Sequence, residues 1–152
     1  MLDPSVENAA YDMYWERFDD NDERVQDLTR LIEAGQLIDS NVVGAMNSMY
    51  QFNQGLLSEG LDVGVDEADM LAQIWAEEDA LRLEISEWLY AFLLLAYDPL
   101  ETRLLREQIT FYESPAGQTF HRALMDGFDG LYSVISFDLG ATIAIFARDE
   151  LL

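Results

Sequence analysis

An all-α fold, an irregular bundle of several helices ending in a long C-terminal one, is predicted by three features of this 152-residue sequence. Apolar residues recur at steps of three and four along most of the chain. Start signals of the Asp-Pro or Ser-Pro type stand ahead of several of these runs. No stretch of useful length alternates apolar and polar residues as a half-buried strand would.

The first helix opens at Asp3-Pro4, a cap followed by a first-turn proline, and carries Val6, Ala9, Ala10, Met13, Tyr14 and Phe18 at helical spacing. The acidic cluster Asp19-Asp20-Asn21-Asp22-Glu23 interrupts it. A second helix follows on Val25, Leu28, Leu31 and Ile32, with Gly35 as its expected C-terminal cap. Asp39-Ser40 is the expected cap of a third helix whose buried line is Val42, Met46, Met49, Asn53 and Leu56. Its end falls near Gly60, and the glycine- and aspartate-rich stretch 60–66 is the one long loop, a subdomain boundary inside an otherwise single domain spanning 1–152.

Asp66 and Asp69 form a variant capping box for a fourth helix bearing Met70, Leu71, Ile74 and Trp75. One helix continued through Glu77-Glu78-Asp79 would place Glu78 on the apolar line, so a break is expected near residue 77. The next helix holds Leu81, Ile85, Trp88, Leu89, Phe92, Leu93 and Ala96, and beyond Trp88 it is apolar all round, as an enclosed helix is. Asp98-Pro99-Leu100-Glu101 repeats the start signal for a helix lined by Leu100, Leu104, Leu105, Ile109 and Tyr112.

That helix must stop at Ser114, because Pro115 disfavours the helical region for the residue before it. Ser114 has the hydroxyl an N-cap needs, Pro115 suits the first helical position, and Gly117 admits another backbone one turn in. Beyond this corner Phe120, Leu124, Phe128, Leu131, Ile135, Leu139, Thr142 and Phe146 keep one helical phase, which favours an unbroken helix spanning 115–148, about 51 Å long, against the alternative of a break at Asp126-Gly127. This apolar line is expected to lie inside, sheathed by neighbouring helices. Gly127, Gly130 and Gly140 each cost roughly 1 kcal/mol in a helix interior and so need a reason. One is close approach of a second helix along the small residues Ser133, Ser136, Gly140, Ala144 and Ala147, an expected self-association face that would give a homodimer.

Composition bounds the partners. Thirty acidic residues stand against eight basic ones, all arginine, for a net charge of −22, while half the residues are hydrophobic. Eight Phe, seven Tyr and three Trp are too many for a disordered acidic tail, so the charge coats a folded body. Such a surface repels phosphate backbones and anionic head groups, which makes nucleic acid a poor partner. The longest unbroken apolar run, Trp88 to Tyr97, falls well short of a bilayer, and no membrane span is expected. Cysteine is absent, so neither disulfides nor thiolate metal sites contribute.

The sequence Phe111-Tyr112-Glu113-Ser114-Pro115-Ala116-Gly117-Gln118 resembles the signature of a bacterial family known as domain of unknown function 2059. That signature is an aromatic pair, a variable residue, Ser-Pro, a small residue and Gly-Gln, with Phe111, Tyr112, Ser114, Pro115, Gly117 and Gln118 at its specific positions. The resemblance covers roughly residues 80–147 and implies an all-helical, exported, periplasmic protein with no established reaction. Met1-Leu2-Asp3-Pro4 lacks the basic and apolar regions of a signal peptide. Export therefore implies a leader ahead of this sequence, and the alternative is a cytoplasmic protein.

Chemical machinery is not evident. His121, the only histidine, lies one turn past Gly117 and is expected on the helix surface or boundary; without cysteine, a zinc site on it would need carboxylates to complete the shell. The cluster 19–23 fails as a calcium loop, since Arg24 stands where glycine is needed and Arg30 where a bidentate glutamate belongs. Glu77, Glu78, Asp79, Glu84 and Glu87 are carboxylates of the kind that coincide by chance among thirty. No enzyme activity, metal or cofactor is expected. The reading is a noncatalytic helical domain working through contacts with an unidentified protein; the alternative is a carrier holding an apolar ligand between helices near Tyr112.

Overall fold

The computed structural model describes residues 4–19, 21–61, 64 and 66–149, and among them it has seven α-helices and no strand. These are α1 (Pro4–Arg17), α2 (Glu23–Gly35), α3 (Leu37–Ser58), α4 (Glu67–Ala76), α5 (Glu78–Tyr97), α6 (Thr102–Glu113) and α7 (Pro115–Asp149). They form two compact units. One combines the chain up to Asp39 with Arg82–Arg122, the other Ser40–Leu81 with the chain from Ala123 onward. The boundary therefore falls within α3, α5 and α7, and the described residues of the 60–66 stretch lie inside the second unit; positions 62, 63 and 65 are outside the described residues.

The first unit is built on α2 and α6. Val25, Leu28, Leu31 and Ile32 meet Leu105 and Ile109, with Leu93 and Leu94 of α5 completing a fully buried cluster. The helical spacing of these residues puts all of them on inward faces, and removing them from water is the main force holding the unit. Asp27 is buried beside them, and Arg106 Nε donates to its carboxylate at 2.8 Å. Asp22 caps α2 by accepting from the Arg24 and Val25 amides, so the acidic cluster ends as a helix start. Of the α1 residues only Ala10 is buried; Val6 is exposed, and Phe18 lies beyond the helix end.

Two helix ends differ from expectation. Gly35 remains helical, and Gln36 takes the left-handed conformation at φ 50° that ends α2. Gly35 serves packing instead: a Cβ there would come within 2.9 Å of the Leu37 side chain and 3.4 Å of His121 Nε2. With Gln36 making the turn, α3 starts at Leu37, ahead of Asp39-Ser40. Similarly, α6 starts at Thr102 rather than at Asp98-Pro99, and Glu101 makes no side-chain cap. Arg17 takes Asp98 as its ion partner, while Arg24 Nη2 donates to the Tyr97 and Leu100 carbonyls, both at 2.5 Å. These arginines hold 97–100 as a turn. The break near residue 77 is present without Gly or Pro, and Asp66 caps α4 by accepting from the Asp69 amide at 2.9 Å.

The Ser114 corner forms as expected. Ser114 is extended (φ −78°, ψ 154°), its Oγ accepts from the Gly117 amide at 3.1 Å, and its hydroxyl donates to the Phe111 carbonyl at 2.6 Å. A Cβ on Gly117 would sit 1.9 Å from that same carbonyl oxygen, which explains the glycine. Gln118 completes the joint by donating from its side-chain amide to the carbonyls of Tyr112, at 2.8 Å, and of Ala34. One amide thus ties α7 to both α6 and α2.

In the second unit α3 and α7 cross backbone to backbone. A Cβ on Gly55 would lie 2.1 Å from the Phe137 carbonyl oxygen, and one on Gly140 would lie 2.1 Å from that of Phe52. Only two glycines facing one another permit this approach. Asn47 seals the crossing by donating to both Asp129 oxygens, at 3.0 and 3.1 Å, and to Ser133 Oγ at 3.2 Å. Met70 and Ile74 of α4 are buried in this unit, whereas Leu71 and Trp75 are exposed.

Candidate functional site

Helix α7 is unbroken over Pro115–Asp149, and within the second unit its two sides have opposite fates. The small residues face inward. Gly140 and Ala144 are buried, and Ser133, Ser136 and Ala147 are half-buried. This corrects their reading as a self-association face: the helix that lies along Ser133 and Gly140 is α3 of the same chain. The side opposite must then point away, because 3.6 residues per turn place the large residues about half a revolution from Gly140. Leu124, Phe128, Leu131, Ile135, Leu139 and Phe146 are between 39% and 65% exposed, which overturns the expectation that this line is sheathed. Tyr132, Val134, Ile143 and Ile145 widen the same apolar surface.

Among residues 123–147 the charged side chains are Asp126, Asp129 and Asp138, with no basic residue. Asp129 is held by Asn47, but Asp138 is exposed amid the apolar side chains. Beside it is a groove of about 240 Å³ lined by Gln51, Ser133, Val134, Phe137 and Asp138. A lining that combines Val134 and Phe137 with a carboxylate and an amide suits a long side chain with a cationic end. The sequence reading missed both Asp138 and Gln51, although an aspartate inside a continuous apolar phase was the visible signal.

By length and composition alone, Pro115–Arg148 is apolar enough to cross a membrane: its most apolar 18-residue window has a mean hydropathy of 1.6, and only 11% of that window is buried. The expectation of no span rested on the shorter run Trp88–Tyr97, which α7 exceeds in length. Polar residues in the α7 window are mostly small serine, threonine and glycine, which break an unbroken apolar run without making it hydrophilic. One helix of this kind does not establish a span.

The residues of the Ser-Pro signature form a joint in the first unit. Phe111 is exposed against Phe120, their ring centroids 6.2 Å apart, and Tyr112 is half-buried with its ring 5.3 Å from that of His121. Ser114, Pro115, Gly117 and Gln118 are occupied by the capping and close approach already described. His121 is only 5% exposed, contrary to its expected surface or boundary place, and burial pushes its imidazole pKa down from the ordinary value. Among the described residues no group of three or more His, Cys, Asp or Glu is gathered as a metal ion would need.

Two further clefts lie elsewhere. One, of about 440 Å³, is an open groove along α6 from Thr102 to Thr110. The other, of about 360 Å³, sits in the second unit and is lined by Met49, Met70, Ile74 and Leu81 together with Asn53, Gln73 and Glu77. Tyr112 lines neither. Comparison of the chain with family models, with curated proteins and with solved structures found no match.

Proposed function

We propose that this chain is a noncatalytic helical domain that acts by protein–protein contact through the outward face of α7. The carrying observation is the set of apolar side chains left in water between Leu124 and Phe146. Ten such residues, each about half exposed, present on the order of 800 Å², above the roughly 300–600 Å² of the largest patch on a typical monomer and close to one side of a standard interface. At roughly 25 cal/mol per Å², leaving them uncovered forgoes substantial free energy. The resemblance of Phe111–Gln118 to domain of unknown function 2059 supports the further reading of an exported, periplasmic protein without a reaction of its own.

Affinity capture from the native cells with the wild-type chain and with the double variant Leu131→Glu/Ile135→Glu tests this. A protein retained by wild type, lost by the variant and bound again when purified supports the contact reading. Identical sets retained by both forms refute it.

The cleft at Met49, Met70 and Ile74 favours a second reading, carriage of a small apolar molecule, at a place other than Tyr112. Native mass spectrometry of the purified chain separates the two. A bound small molecule lost on Ile74→Trp supports carriage, and the bare mass of the chain opposes it.

A further inference from the structure

Building on the contact reading of α7, we infer that its partner is a basic amphipathic helix, whose apolar stripe lies along Leu131, Ile135 and Leu139 and whose arginine or lysine enters the groove beside Asp138. Three observations choose this occupant. First, the exposed apolar area is of the size a standard interface covers on one side, on the order of 800 Å². Second, the face has an asymmetric charge: Asp138 is exposed on it, and no basic residue occurs from 123 to 147 to neutralise it. Third, the groove of about 240 Å³ beside Asp138 is shaped for a long cationic side chain, with Val134 and Phe137 for its methylenes and Asp138 and Gln51 for its charged end. Burying Asp138 under an apolar partner without a cation would leave a carboxylate uncompensated.

A second copy of the chain fits less well. It would bring a net charge of −22 against −22, and the matching segment of its own α7 offers aspartate where a cation is needed. Its arginines are largely committed: Arg17, Arg30, Arg82, Arg103 and Arg106 pair with carboxylates, and Arg24 holds backbone carbonyls. A lipid surface fits less well too. Asp138 would enter the hydrocarbon, and anionic head groups would be repelled by the whole molecule.

The test uses three synthetic 21-residue helical peptides, fluorescently labelled, with leucine at positions one, four and five of each turn pair and a central residue that is Arg, Gln or Glu. Binding to the full chain is followed by anisotropy in 0.15 M NaCl. The expected result is that the Arg peptide binds at least tenfold more tightly than the Gln peptide and the Glu peptide more weakly still. Asp138→Asn removes the preference, and Ile135→Asp abolishes binding of all three. Both substitutions are at exposed positions, and unchanged helical circular dichroism confirms that the fold survives.

Equal binding of the three peptides overturns the basic-partner inference while leaving the contact reading standing. Binding that persists in Ile135→Asp overturns both, as does the absence of any binding by a chain that stays monomeric. Dimerisation in sedimentation experiments that Ile135→Asp abolishes assigns the face to a second copy and overturns the inference. Flotation with phosphatidylcholine vesicles, lost in the same variant, assigns it to lipid and likewise overturns it.

Discussion

Ser114 shows how much one small side chain can decide. Its hydroxyl accepts the Gly117 amide and donates to the Phe111 carbonyl, so it closes α6 and opens α7 at the same point. Ser114→Ala loses both bonds and should lower stability by about 1 kcal/mol, the usual cost of an N-cap, as measured by urea unfolding. His121 sits about two turns further on, with a different consequence. Burial lowers its folded pKa below the ordinary 6.5, so below that pH the unfolded chain takes up a proton that the folded one resists. Stability is therefore lost as pH falls through about 6.5 and toward the folded pKa. Carboxylates titrate in the same direction in any variant, so the readout is a difference: between pH 7.5 and 5.5, wild type should lose more stability than His121→Met. Parallel curves for the two proteins would contradict the burial of a neutral imidazole.

At the scale of the element, α7 contains glycines of two kinds. Gly140 faces the Phe52 carbonyl at a distance where no Cβ fits, and Gly55 on α3 answers it against Phe137. Gly127 and Gly130 meet nothing within 4 Å. The same substitution should then act with opposite sign. Gly140→Ala or Gly55→Ala forces the crossing apart and should cost about 3 kcal/mol, whereas Gly127→Ala and Gly130→Ala should each raise stability by about 0.5–1 kcal/mol through lower unfolded-state entropy and better helix propensity. Chemical denaturation of the four single variants checks this. A uniform response would mean that α3 and α7 do not approach through glycine.

The whole molecule is dominated by its charge. With −22 spread over a body of this size, self-repulsion opposes the compact state, and salt relieves it once the Debye length falls to about 8–10 Å. The melting temperature should rise between 10 mM and 0.5 M NaCl, and a flat or falling trend in differential scanning calorimetry would contradict this. The same charge shapes association. An apolar face on so acidic a chain is shielded from most acidic proteins by long-range repulsion, which leaves cationic partners as those steered toward it. Added salt should therefore stabilise the fold while slowing encounter with a basic partner.

Most helices were legible in the sequence because their causes are local. Apolar spacing placed all seven, and the Ser114-Pro115 corner and the Asp66 cap act within a few residues of themselves. Local signals went astray where a distant group intervened, as Arg17 and Arg24 did at the turn 97–100; at the end of α2 the left-handed residue is Gln36, one position past Gly35. The largest reversal was α7, whose large-residue line and small-residue stripe are both sound packing surfaces by spacing alone. The sequence by itself determined that this helix is long and two-faced, since both properties follow from periodicity within one segment. Only the tertiary structure decided which face is inside, because that depends on Gly55 of α3 lying opposite Gly140, a match between backbones that no single stretch of sequence contains.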